Sequence, residues 1–205
     1  ANWTYDFASS TFPTNYGWRK DNLGTPSSST GPSNALDGDY YLYCETSGSG
    51  SNKVGNLVSS CIDLINFATP TYVFGYHMYG ATMGVLNVDI SNDGGWTWNT
   101  VWTESGDQGN QWLEAVIDLS AYAGQIIQVR MNYNSGTSYT GDCAIDHLRF
   151  MEAPISGCMD TLSCNYDSNA TINDGSCYIL SASTSSTNTS CNGIVDGTAS
   201  VSANA

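Results

Sequence analysis

Histidine is scarce in this chain, and this limits the catalytic chemistry that the sequence can support. Only His77 and His147 occur, and neither belongs to a His-Glu-x-x-His metal motif. The sequence also has no Gly-x-Ser-x-Gly nucleophile motif. His77 lies within an aromatic run, where a packed histidine is the simplest interpretation. The carboxylates could include a glycosidase-like acid/base pair, but the sequence gives no distance between them. The sequence therefore favours a binding protein over an enzyme.

Tryptophan is the residue type best suited to bind a ligand here. Exposed indole faces can stack on sugar rings, and strand parity allows some of the tryptophans near a predicted hairpin to face solvent. These candidates are Trp96, Trp98, Trp102 and Trp112. The alternative is that they pack in the core or across strands. The loops at 24–32 and 134–141 are other possible contact surfaces.

The abundant aspartates make calcium the cofactor that this sequence can support, because calcium prefers several oxygen ligands. Asp146 shares the strand parity of Ala144 and Leu148, so it is expected to face inward. A lone inward carboxylate is costly unless it is paired or bound to a cation. The alternative is that Asp146 caps a turn or pairs with Arg149 or Arg130.

Seven cysteines in a chain poor in basic residues indicate an oxidising compartment, and their odd number leaves at least one unpaired. Four of them crowd the end of the chain, at Cys158, Cys164, Cys177 and Cys191. Together with Pro154 and Gly157, this crowding indicates a domain boundary after Ala153.

The segment after this boundary allows two interpretations. Asn165, Asp167 and Asn169 have the spacing of the first ligands of a calcium loop, but Ala170 and Ser176 replace the glycine and glutamate of an EF-hand. A turn-rich knot held by Cys158 and Cys177 explains the same residues and is the favoured interpretation.

Alternating apolar residues predict strands throughout the first 153 residues. Examples are 86–90, 113–119 and 127–133, and the Asn-Asp-Gly-Gly turn at 92–95 predicts a tight reversal. The strands at 40–44 and 54–58 flank a Gly/Ser-rich segment and are expected to form a hairpin with a longer loop. These patterns predict an all-β, antiparallel sandwich.

Charge and hydropathy exclude several classes of partner. The net charge of −14 repels nucleic acid and anionic lipid. The apolar runs are far shorter than the roughly 18 residues of a membrane span, so no membrane insertion is expected. The Ala1-Asn2-Trp3 start is expected for a mature exported chain that has lost its signal.

Residues 1–153 resemble a bacterial MAM domain. The resemblance lies in WRKDNLGTPSSSTGPSNALDGDYYLYCE from Trp18 to Glu45, LVSSCIDL from Leu57, GYHMYG from Gly75, SGDQG from Ser105 and AIDHL from Ala144. It implies a jelly-roll β-sandwich used for adhesion. It also implies a calcium site in which Asp6 and Asp37 join Asp146. The chain departs from the family at Asp146-His147, where two acidic residues are usual.

Two further resemblances concern the end of the chain. Residues 157–178 are similar to a Cys/Asp/Asn-rich module of Bacteroidota surface proteins, and SCNGIVDGTASVSA from Ser190 looks like the start of a gliding-motility adhesin repeat. They imply three domains: 1–153, a linker module at 154–179, and a truncated repeat at 180–205. The same resemblance implies type IX secretion.

The expected function is that of a non-catalytic, secreted or cell-surface adhesion module at the N-terminus of a larger repeat protein, contacting a glycan or a protein. One alternative is an accessory domain of a secreted protease or glycan hydrolase. Another is a structural tip or spacer without a ligand.

Overall fold

Strands and short turns make up nearly all the regular structure of the protein. The computed structural model describes residues 17–48, 51–188 and 190–204. The chain divides into two compact units, Ala1–Ala153 and Pro154–Ala205, which are described separately. Within the described ranges, no helix has the length and apolar character needed to cross a membrane.

The first unit is a sandwich of two antiparallel sheets. In chain order its strands are β1 (Trp18–Asp21), β2 (Tyr41–Cys44), β3 (Val54–Val58), β4 (Ile62–Asp63), β5 (Pro70–Met78), β6 (Val85–Ser91), β7 (Asn99–Ser105), β8 (Leu113–Asp118), β9 (Ile126–Asn134) and β10 (Cys143–Glu152). A 3₁₀ turn, Ser120–Tyr122, precedes β9. One sheet has the order β1-β2-β10-β5-β8, and the other has the order β3-β9-β6-β7 with β4 also paired to β9.

The core fills the space between the sheets with the apolar positions that strand parity predicts. In β9, Ile127, Val129, Met131 and Tyr133 are buried, and their polar neighbours are only partly so. The opposite sheet contributes Tyr72, Phe74 and other aromatic residues of β5. The predicted all-β antiparallel sandwich is confirmed. The predicted reversal after β6 is confirmed, with Gly94 and Gly95 at positive φ, but the connection spans residues 92–98 and is longer than the tight turn expected.

The predicted hairpin between residues 40–44 and 54–58 is wrong. Strand β2 pairs with β1 and β10, whereas β3 pairs with β9 in the other sheet. The connection therefore crosses from one sheet to the other. Periodicity identifies both strands correctly but contains no information on their partners.

The second unit contains two small pairs of strands. Strand β11 (Ser156–Gly157) pairs in parallel with β12 (Ile172–Asn173), and β13 (Ser181–Thr187) pairs antiparallel with β14 (Thr198–Asn204). Cys158 and Cys177 form a disulfide, as the turn-rich knot requires. Hydroxyl groups pair across β13 and β14, for example Ser183 with Ser202 at 2.8 Å.

Candidate functional site

The segment between β1 and β2 covers the outer face of the β1-β2-β10-β5-β8 sheet. Trp112 donates its indole N–H to the carbonyl of Asn34 (2.9 Å), and Thr30 donates its hydroxyl to the carbonyl of Tyr79 (2.8 Å). The side chain of Leu36 occupies the space that a Cβ at Gly75 would take. This segment is therefore a covering layer of the sheet, anchored at several points.

Asp146 holds this covering layer in place. Its Oδ2 accepts the backbone N–H groups of Leu36 (2.8 Å) and Asp37 (3.0 Å), and its Oδ1 accepts that of His147 (2.7 Å). These contacts are those of a carboxylate that caps backbone N–H groups. Asp146 does not pair with an arginine, because Arg149 pairs with Glu114 and Arg130 pairs with Asp89.

Strand parity predicts that Asp146 lies between the two sheets. Its side chain is buried, but it does not lie there. A register shift between Asp146 and Arg149 moves Leu148 and Phe150 onto the core side, while Ala144 packs on the outer side. His147 lies at this irregularity with a φ of 53°. One extra residue in a strand reverses the face on which the following side chains lie. Asp146 therefore does not share a face with Leu148 and Phe150.

The structure brings together two of the three predicted calcium ligands. The backbone N–H of Asp37 donates to Oδ2 of Asp146 (3.0 Å), whereas the carboxylate of Asp37 is 69% exposed and has its Oδ2 3.2 Å from Nδ1 of His147. Asp6 lies outside the described residues. Among residues 17–48, 51–188 and 190–204, no group of three or more His, Cys, Asp or Glu side chains could hold a metal ion. Two carboxylates fall short of the six to eight oxygens that calcium takes, so calcium here stays a prediction.

The four tryptophans do not form one exposed cluster. Trp96, at the turn, is 88% exposed. Trp102 packs edge-on against Phe74 and Tyr76 on the core side. Trp112 packs against Tyr41 on the outer side of the β1-β2-β10-β5-β8 sheet. Trp98 is half-buried: its indole N–H donates to the carbonyl of Gly95 (3.1 Å), and Arg130 lies over one face of its ring. Of these four tryptophans, Trp96 is therefore the one with a fully exposed ring.

The outer side of the β3-β9-β6-β7 sheet presents a row of polar side chains across four strands. Register places Asn56, Asn132, Asn87 and Thr103 side by side. Asn132 donates to Asn56 (2.7 Å), Asn87 donates to Asn132 (3.3 Å), and Thr103 donates to Asn87 (2.8 Å). We call this row, with the neighbouring Arg130 and Trp98, the polar face.

A second row next to this one combines charge with an aromatic ring. Arg130 bonds to the buried carboxylate of Asp89, with Nε and an Nη atom 2.9 and 2.8 Å from Oδ2. The guanidinium also lies 4.5 Å from the centre of the Trp98 ring. Thr100 donates its hydroxyl to Asp89 (2.6 Å). These contacts neutralise the charges and fix the orientation of the Trp98 ring.

His77 is a packed residue, in agreement with its interpretation from the sequence. It is 2% exposed, and its Nε2 lies 3.1 Å from Oδ1 of Asn110. Burial lowers the pKa of His77, and the hydrogen bond that its imidazole donates to Asn110 only partly opposes this. The imidazole packs edge-on against the rings of Trp112 and Tyr79.

Sequence reasoning missed the polar face. Parity assigns Asn87 and Asn132 to the outer side of their strands. Their adjacency depends on the pairing of β9 with β6 and β3, which the sequence does not specify. The signal that could have found them is the asparagine at a solvent-side position in each of three predicted strands.

Comparisons with known proteins agree with the sandwich architecture. Residues 7–156 match the family model described as the MAM domain, meprin/A5/mu. MAM domain-containing protein 2 of Mus musculus is 29% identical over 146 residues, which are 70% of this chain and 21% of that protein. MAM domain-containing glycosylphosphatidylinositol anchor protein 1 of Rattus norvegicus is 31% identical over 142 residues, which are 64% of this chain and 14% of that protein.

Among solved structures, the K1 cleaved adhesin domain of Lys-gingipain from Porphyromonas gingivalis W83 is 18% identical, with a TM-score of 0.48. The match covers 67% of this chain and 85% of the adhesin domain. The chain spans about a fifth or less of the length of the two animal relatives.

Proposed function

Because the chain belongs to the MAM domain family, we propose that its first unit is a non-catalytic extracellular module that binds glycans through the polar face. The single observation that carries this proposal is the hydrogen-bonded row of Asn56, Asn132, Asn87 and Thr103 beside Trp98. The name of the rat relative describes a membrane-anchored protein, which supports a location at a cell surface.

The amide row suits a sugar ligand for a physical reason. Each asparagine side chain has two N–H donors and two acceptor lone pairs, and the bonds within the row use only part of this capacity. The row holds the amides in fixed orientations, so binding would cost little side-chain entropy. The remaining donors and acceptors can pair with neighbouring hydroxyls of a sugar ring, and Trp98 offers an aromatic surface nearby.

Charge narrows the class of glycan. The chain carries a net charge of −14, and Arg130 on the polar face is already paired with Asp89. Sulfated or sialylated glycans would therefore meet a repulsive field without a free cation at the contact. We propose a neutral glycan.

A calcium ion bound by Asp37 and Asp146, with Asp6 as a further ligand, remains part of the proposal. It would fasten the covering layer between β1 and β2, which Asp146 already contacts through two backbone N–H groups. A Bacteroidota origin, type IX secretion and a following adhesin repeat also stay predictions. The accessory-domain alternative concerns the activity of a longer protein and stays open.

The experiment is a neutral-glycan array probed with the whole chain and then, for each glycan that binds, titration of two variants. We expect the double variant Asn87→Ala/Asn132→Ala and the variant Trp98→Ala each to weaken binding by about tenfold or more, since tenfold corresponds to about 1.4 kcal/mol. Asn22→Ala, beyond the edge of the other sheet, is the matched control. Unchanged affinity in both polar-face variants would refute the proposed surface.

A further inference from the structure

Two carboxylates lie close to each other where β2 and β10 meet. The last register pair of these antiparallel strands is Cys44 with Cys143. Glu45 and Asp142 each lie one residue beyond this pair, close enough for the charge of Glu45 to raise the pKa of Asp142. Both residues are buried: Glu45 is 8% exposed and Asp142 is 0% exposed. Like charges at neighbouring positions of two strands repel each other.

Hydrogen bonds satisfy one oxygen of each carboxylate. Oδ1 of Asp142 accepts the backbone N–H (2.9 Å) and the hydroxyl (3.1 Å) of Thr46. Oε1 of Glu45 accepts the hydroxyl of Ser27 (3.1 Å) and the backbone N–H of Ser47 (3.0 Å). The other two oxygens, Oε2 of Glu45 and Oδ2 of Asp142, are buried and have no partner within hydrogen-bond distance among the described residues, although the hydroxyl of Thr25 lies close enough to Asp142 to favour its charged form.

Neither carboxylate takes part in the ion pairs found between described residues. These three ion pairs involve Asp89, Asp37 and Glu114. A buried carboxylate without a partner is strongly unfavourable, so either a proton or a cation must offset the charge. Burial raises the pKa of Asp142 to about 6, with a further contribution from Glu45 and opposition from the N–H of Thr46. Protonation therefore no longer offsets the charge above about pH 6.

We propose that Glu45 and Asp142 bind a divalent cation, with calcium as the preferred ion, at the junction of β2 and β10. The unsatisfied atoms are carboxylate oxygens, which are the ligands that calcium prefers. The neighbouring groups are also oxygen-rich: the hydroxyl of Ser27 contacts Glu45, and that of Thr30 accepts the N–H of Asp142. This site is separate from Asp6, Asp37 and Asp146, and it does not depend on glycan binding.

A cation here would connect three parts of the sandwich. Glu45 follows β2, Asp142 precedes β10, and Ser27 and Thr30 belong to the segment between β1 and β2. The ion would cancel the repulsion between the two carboxylates and would hold the start of the covering layer against the sheet. We therefore expect the ion to stabilise the fold as well as to bind.

The test is isothermal titration of the whole chain with calcium chloride at pH 7.5, after removal of metal by a chelator. Glu45→Gln and Asp142→Asn keep the size of each side chain and remove its charge. Each should weaken calcium binding at least about tenfold, as expected for loss of a group in a metal site. Asp118→Asn, which changes an exposed acid of β8 outside both proposed calcium sites, is the matched control, and we expect it to bind calcium as the unaltered chain does.

Three results would overturn the proposal: no calcium binding by the unaltered chain at millimolar concentration, a calcium affinity and stoichiometry in both carboxamide variants equal to those of the unaltered chain, or an equal loss of affinity in Asp118→Asn. Melting curves of the same proteins show whether each variant is folded. In the absence of calcium, we expect both carboxamide variants to melt no lower than the unaltered chain, because they lack the repelling charge. If the variants unfold at a lower temperature, the shifts of melting temperature caused by magnesium and by calcium replace the titration. A calcium-specific shift in both variants as large as that of the unaltered chain would then contradict the proposal.

Discussion

At the scale of single residues, Asp142 shows how a buried carboxylate couples stability to pH. Its folded-state pKa is raised from 3.8 to about 6, chiefly by burial, so the folded chain holds this proton more tightly than the unfolded chain does. The stability contributed by the proton is fully present below about pH 4 and is lost as pH rises toward 6. Glu45 faces the same space and adds its own charge.

This coupling makes a prediction for Asp142→Asn in calcium-free buffer. An amide oxygen can still accept the N–H and hydroxyl of Thr46, but the amide does not ionise. We expect the variant to be more stable than the unaltered chain at pH 7.5 and the difference to shrink below pH 4. Urea unfolding at a series of pH values measures it. Parallel curves from pH 4 to 7 would contradict it, and Asp37→Asn, which changes an exposed acid, is the control.

At the scale of elements, Asp146 connects β10 to the covering layer between β1 and β2. We expect Asp146→Ala to lower the free energy of unfolding by about 3 kcal/mol, since hydrogen bonds to a charged acceptor contribute about 1.5–3 kcal/mol. The amides of Leu36 and Asp37 should lose protection in hydrogen exchange, because both donate to this carboxylate. Asp146→Asn keeps one acceptor oxygen and should lose less. Unchanged protection of both amides in Asp146→Ala would show that other contacts hold the layer.

Elements differ in how far the sequence determines them. Strands β6, β8 and β9 follow from alternation because each has one face on the core. The partners of β2 and β3 could not be predicted, since pairing depends on contacts distant in sequence. The irregularity after Asp146 reverses strand parity and has no local signature. The same limits hid the polar face and the pair of Glu45 and Asp142, both of which arise from register between strands.

At the scale of the whole molecule, the two units are stabilised by different means. The first unit has an extensive core between two sheets, whereas the described part of the second unit buries only Gly157, Cys158 and Ser163. The disulfide from Cys158 to Cys177 closes a loop with a sequence separation of 19. A loop of this size contributes roughly 3 kcal/mol by restricting the unfolded chain, and this is large for a segment with so little core.

We therefore expect reduction of the disulfide to unfold part of the second unit and to leave the sandwich folded. In the oxidised protein, Asp167 donates its N–H to the carbonyl of Cys158 (2.9 Å), and Cys164 donates to that of Tyr178 (3.0 Å). Hydrogen exchange should show these amides exposed in Cys158→Ser/Cys177→Ser, while those of β9 remain protected. Cys61→Ser is the control, since Cys61 is exposed and is not in a disulfide. Loss of protection in β9 as well would contradict the separate stability of the two units, because a disulfide within the second unit restricts only the residues of that unit.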